Sequence, residues 1–123
     1  MKSKINSYKE LTVWQKAMLL CEMIYQITKD FPKYELYGLT SQIRRCCVAI
    51  PSNIAEGFLR GHRTEYKQFL RISYSSGAEQ ETQLLIAMRI GYLKKEDFEI
   101  VDSLLNEVMR MLNKLISVLN TNH

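Results

Sequence analysis

Histidine, proline and glycine are all scarce in this 123-residue chain, at two, two and five residues. So few helix breakers leave long stretches that a helix can occupy without interruption. Neither His62 nor His123 follows a glutamate by three residues, which excludes the paired E-x-x-H ligands of a di-iron bundle. The cysteines, Cys21, Cys46 and Cys47, lack C-x-x-C spacing and have no histidine nearby, so no four-ligand zinc set assembles. They read as small, buried, reduced thiols. No apolar run approaches the ~20 residues that span a bilayer. The opening M-K-S-K-I-N-S-Y-K-E carries charge but no apolar stretch behind it, unlike a secretory signal. The expectation is a cytoplasmic protein with no membrane contact, metal or cofactor.

Catalytic signatures are missing too. No P-loop, dinucleotide fingerprint, H-E-x-x-H or G-x-S-x-G pattern occurs. The Gly57–Gly61 stretch is basic but lacks the lysine-serine ending of a phosphate loop. Glu79 and Glu81 fall on different helix faces, and His62 has no nucleophile beside it, so no acid–base–nucleophile set can be drawn. The chain reads as non-enzymatic.

What is present is helical periodicity. With 46% apolar and 24% charged residues, the chain fits one domain, 1–123, able to bury a core without staples. Helices are expected over about 13–30, 39–59, 64–90 and 95–120, giving an all-α, up-down-up-down antiparallel four-helix bundle. Thr12 with Gln15 fits a capping box at the first. In the second, Leu39, Ile43, Cys47, Ile50, Ile54 and Phe58 keep phase straight through Pro51, which predicts a kinked but continuous helix. Ser52 and Asn53 are suited to bond the backbone that the proline frees. Glu56 and Arg60 are spaced for an ion pair. The third helix carries small residues, S-Y-S-S-G-A, read as a close packing contact. Gly91 ends it as a C′ glycine. In the fourth, Phe98, Val101, Leu105, Val108, Leu112, Leu115 and Leu119 form a heptad seam. A second stripe, Leu104, Met111 and Val118, fits either a wide core face or self-association.

Charge is uneven. The net charge is +4, and residues 38–74 alone hold six basic residues against two acidic ones. The six are Arg44, Arg45, Arg60, Arg63, Lys67 and Arg71. Arginine's planar fork suits phosphate and carboxylate. From the residues alone, the six fit either a phosphate-binding stripe or a solvated face with scattered ion pairs.

Four stretches, T-V-W-Q-K-A (12–17), F-P-K-Y-E-L-Y-G-L-T-S-Q-I-R-R (31–45), I-P-S-N-I-A-E-G (50–57) and G-Y-L (91–93), occur in this order along nearly the whole chain. They resemble the four-helix-bundle protein family, also called the S23 or 23S rRNA intervening-sequence protein family. Gln42, Arg44, Arg45, Pro51, Ser52, Asn53, Glu56, Gly57 and Arg60 fall on its pattern. Cys46 and Cys47 depart from its usual small residues, and Lys94 replaces its usual serine or threonine cap after G-Y-L. The resemblance implies a small bacterial protein that assembles as a homopentamer and is not an enzyme on its own. Some members are encoded within intervening sequences of 23S rRNA genes. It also implies kinship with the accessory variability determinant of diversity-generating retroelements, a basic barrel that binds nucleic acid and a reverse transcriptase. The leading expectation is a homo-oligomeric scaffold that binds RNA or DNA backbone through the six basic residues. The alternative is an adaptor that docks an acidic partner such as a reverse transcriptase, with the arginines at subunit interfaces.

Overall fold

A computed structural model describes residues 4–121, so His123 lies outside the described residues. Four α-helices follow in order: α1 Thr12–Ile27, α2 Leu39–Leu59, α3 Arg63–Arg89 and α4 Lys95–Thr121. Each packs against its neighbour in sequence, and α4 closes the ring against α1. This is the up-down-up-down bundle that the periodicity predicts. Its core runs from Val13, Ala17, Leu20 and Ile24 through Ile43, Ile50 and Ile54 to Leu70, Leu84 and the buried seam of α4. That seam is Phe98, Val101, Leu105, Val108, Leu112 and then Ile116. Leu115 and Leu119, expected to finish it, are only half-buried, because 3.6 residues per turn carries the stripe one position on in a straight helix.

The helix ends differ in detail from the sequence reading. Leu11, not Thr12, has the extended backbone of an N-cap, and no side chain caps α1. Gln15 instead donates through Nε2 to the Lys9 carbonyl at 2.8 Å. The last turn before Phe31 tightens into a 3₁₀ turn over Thr28–Asp30. At the far end of α3, Gly91 has φ +88°. Its amide bonds the Met88 carbonyl and the Tyr92 amide bonds that of Ala87, a complete Schellman motif. Glu35 caps α2 through Oε1 to the Leu39 amide at 3.1 Å, and Tyr92 donates its hydroxyl to Oε2 at 2.8 Å.

α2 runs unbroken through Pro51. The proline removes the amide that would bond the Cys47 carbonyl, at an isolated cost of ~3 kcal/mol. Full burial of Ile50 and Ile54 offsets this at ~1.5–3 kcal/mol each. The freed carbonyl is met neither by Ser52 nor by Asn53, whose amide reaches Ala49 instead at 2.7 Å. The Cys21 thiol of α1 meets it, at 2.8 Å. Cys46 and Cys47 donate likewise, to the Ser76 and Arg44 carbonyls. The Cys21 thiol and burial together push the Cys47 thiol up, and burial pushes Cys46 up to about 12. Cys46 and Cys47 are therefore protonated hydrogen-bond donors at neutral pH, whereas the hydrogen bond with Cys47 holds the Cys21 thiol below its ordinary value.

The small residues of α3 let α2 and α4 come close. Ser73 Oγ donates to the Ile50 carbonyl at 2.9 Å, and Gln80 Nε2 to that of Ile43 at 3.1 Å. A Cβ on Gly77 would overlap the sulfur of Met109, and one on Gly57 would sit 2.7 Å from the Phe69 Cβ. Gln80 and Gln83 are buried core residues that an apolar count passes over.

Candidate nucleic-acid interface

The six basic residues do not form one stripe. They fall on three surfaces, because α3 presents one flank to α2 and the other to α4. Arg44 lies over α1: its Nε donates to Thr28 Oγ1 at 2.9 Å and its guanidinium stacks 4.9 Å from the Tyr25 ring centroid. Arg45 and Arg60 lie along the α2–α3 groove. Arg45 lines a polar hollow of about 400 Å³ there with Gln42, Ala49, Ser76 and Glu79. Arg60 pairs with Glu56 at 3.3 Å, as its spacing predicts, and with Glu65 at 3.9 Å, over the Phe69 ring.

Arg63, Lys67 and Arg71 form the third surface. Steps of four place them along one side of α3. Glu81, about five turns beyond Arg63 and so in register with it, reaches Asp102 of α4. The row therefore lies on the α4 flank of α3, away from Arg45 and Arg60. Arg63 and Arg71 are exposed and Lys67 is half-buried.

The facing flank of α4 carries amides beyond Asp102. Asn106, Asn113 and Asn120 recur every seven residues there, in register with Asp102, and Asn106 donates to the Asp102 carboxylate at 3.1 Å. Glu107 is the one acid between Ser103 and Asn120. It turns the other way, to Lys16 of α1, at 3.0 Å. Among the described residues, Lys67 and Arg71 thus share an edge with amides rather than carboxylates. The sequence reading passed over these asparagines, although their heptad spacing is visible once α4 is called a helix.

The motif residues have mostly structural surroundings. Pro51 and Gly57 are buried, Asn53 bonds its own helix and Glu56 holds Arg60. Gln42 is exposed beside Arg45. Ser52 is exposed in an apolar cleft between α1 and α2 that Trp14, Met18 and Val48 also line. Among the described residues no group of three or more metal-ligating side chains converges, and no helix is long and apolar enough to cross a membrane.

Residues 9–114 match the family model described as 23S rRNA-intervening sequence protein. The fold is similar to the 1.70 Å crystal structure of a protein with unknown function from the S23 ribosomal protein family of Bacteroides thetaiotaomicron. That protein is 23% identical, with a TM-score of 0.79 over 85% of this chain and 95% of that one. No curated protein matches the chain.

Proposed function

The chain belongs to the 23S rRNA-intervening sequence protein family, and we propose that it is a non-enzymatic, homo-oligomeric scaffold that binds the backbone of RNA or DNA. The observation that carries this reading is the α3–α4 edge. Lys67 and Arg71 stand along it with no acid opposite among the described residues of α4 above Asp102, and Arg63 continues their row. Cations arranged this way hold phosphates, and the neighbouring asparagine amides add neutral donors that suit a backbone without reading its bases. Arg45 extends the surface around α3. Arg60, already between two glutamates, adds less.

Self-association has its own support. α1 and α4 leave an apolar groove of about 400 Å³, lined by Leu11, Val13, Met111 and Leu115. Ile100, on the same side of α4, is 60% exposed. Copies that bury this side would repeat the basic edge around a ring, five times over if the family resemblance holds in full. Repetition converts a weak three-phosphate contact into avidity. The setting is cytoplasmic. Kinship with the retroelement accessory determinant would add a reverse transcriptase as a protein partner.

The test is fluorescence anisotropy with a labelled single-stranded RNA, alongside light scattering for mass. Three phosphate contacts per chain give a salt slope near −2, so affinity falls about 20-fold between 50 and 200 mM salt. Lys67→Glu with Arg71→Glu abolishes binding while the oligomer persists. Salt-insensitive binding, or unchanged affinity in the double variant, refutes the reading. A variant that keeps RNA binding but loses an acidic protein partner favours the adaptor alternative.

A further inference from the structure

The opposite end of the bundle holds a second basic feature. Where α1 turns into α2, Lys29, Lys33, Arg44, Thr28, Thr40 and Phe31 surround a pocket of about 240 Å³ that no carboxylate lines. This is smaller than the ~300–1,000 Å³ of organic-ligand pockets and suits a small anion.

Arg44 is the cation in it that side-chain contacts hold in place. Thr28 fixes its Nε and the Tyr25 face fixes its plane. Thr28 is itself 2% exposed and anchored to the Ile24 carbonyl at 2.8 Å. With Nε taken, the two terminal nitrogens remain in a fixed fork, and no carboxylate pairs with them among the described residues. Such a fork matches two oxygens of a tetrahedral anion. Thr40 is 3% exposed, and its buried Oγ1 makes no hydrogen bond among the described residues. It stands in the first turn of α2, where the positive end of the helix favours an anion. Two acids lie on this segment, and neither lines the pocket: Asp30, between Lys29 and Phe31, and Glu35, which is engaged by the Leu39 amide and the Tyr92 hydroxyl.

We infer that this pocket binds one phosphate group, gripped by the Arg44 fork with Lys29 and Lys33 completing its charge. The group is either free phosphate or the terminal monoester of a nucleic-acid strand. The site is separate from the α3–α4 edge, so it stands whether or not that edge binds RNA.

Isothermal titration with inorganic phosphate at low ionic strength tests it. The wild-type protein shows saturable binding at one site per chain. Arg44→Gln weakens it about tenfold or more, the scale of a lost charge-assisted pair. Because Arg44 also contacts Thr28 and Tyr25, Lys29→Gln and Lys33→Gln serve as exposed substitutions that leave those contacts alone. Each weakens binding about threefold, whereas Lys67→Glu leaves it unchanged. A trinucleotide with a 5′-phosphate, compared with its 5′-hydroxyl form, separates the sources. Preference for the phosphorylated strand over inorganic phosphate assigns a strand end, and equal affinity assigns free phosphate. No saturable phosphate binding at millimolar concentration overturns the inference. So does phosphate binding that ignores Lys29→Gln and Lys33→Gln but is lost in Lys67→Glu.

Discussion

Replacing Gly77 with alanine adds one methyl group, and its effect on stability is set by two opposed quantities. Alanine is better than glycine inside a helix by ~1 kcal/mol. Gly77 is central in the 27-residue α3, so the full propensity gain applies. The new Cβ, however, would overlap the Met109 sulfur and lie 3.2–3.3 Å from its Cε and Cγ. Overfilling a packed site of this kind costs ~1–3 kcal/mol. Gly77→Ala is thus expected to destabilise by ~0–2 kcal/mol, a loss of up to several degrees in Tm. In a Met109→Ala background the obstruction is gone and only the propensity gain remains. There the same substitution stabilises by ~1 kcal/mol. The double-mutant cycle has a coupling energy of ~1–3 kcal/mol, well above the few tenths expected of independent sites. Urea unfolding of the four proteins measures it, at one protein concentration because assembly contributes to apparent stability. A stabilising Gly77→Ala in the otherwise wild-type chain, with coupling below ~0.5 kcal/mol, would refute the packing role assigned to this glycine.

Two further predictions concern pH. The hydrogen bond that Glu81 shares with Asp102, then burial, then the Asp102 charge, holds the Glu81 carboxyl above its ordinary value. The folded state therefore binds more protons there, and stability falls as pH rises from the ordinary glutamate value through the raised one. Glu81→Gln melts higher than the wild type at pH 7, with the gap closing towards pH ~4; equal Tm values at pH 7 would sink this. Glu35 is the opposite case: the Leu39 amide, then the Tyr92 hydroxyl, hold its carboxyl below the ordinary value. Its stabilisation is present above that value and lost as pH falls through the lowered one. Tyr92→Phe moves the acid-unfolding midpoint to higher pH, while in a Glu35→Gln background the same change leaves it in place. An acid midpoint unaltered by Tyr92→Phe alone rules the argument out.

The helices were legible because their punctuation is local. Pro32, Gly91 and the acids at Glu96 and Asp97 mark ends within a few residues of where they act. Of the two glycines that read as the exit of the second helix, Gly61 is one, with φ +77° just past α2, whereas Gly57 lies inside the helix against Phe69. What lay beyond reading was the rotation of each helix about its axis relative to two neighbours. The basic residues of α3 are close in sequence to Arg60 at the end of α2, and an antiparallel pair puts them at one end of the bundle. Whether they also share a side depends on which flank of α3 meets α2. That is fixed by Ser73 and Gln80 donating to α2 carbonyls and by the Cys46 thiol donating to the Ser76 carbonyl, contacts that span 23 to 37 residues. The proline's freed carbonyl has the same history. Its partner, Cys21, is 26 residues away on α1, whereas the local candidates Ser52 and Asn53 do not take it.

The motif residues and the cations therefore answer to different constraints. Glu35 of the Y-E-L-Y-G stretch and Tyr92 of G-Y-L meet at 2.8 Å, so two separated signatures are one helix-end arrangement. Pro51 and Gly57 are set by what α1 and α3 place against them. A chain that keeps these residues keeps the bundle. Arg63, Lys67 and Arg71 stand outside the motif stretches, on positions where exposure or half-burial leaves the core indifferent to their identity. Reversing Lys67 and Arg71 should accordingly alter what the protein binds without altering whether it folds. That separation gives the charge-reversal test its force: loss of binding in a folded, assembled protein implicates the α3 edge itself, not the scaffold that carries it.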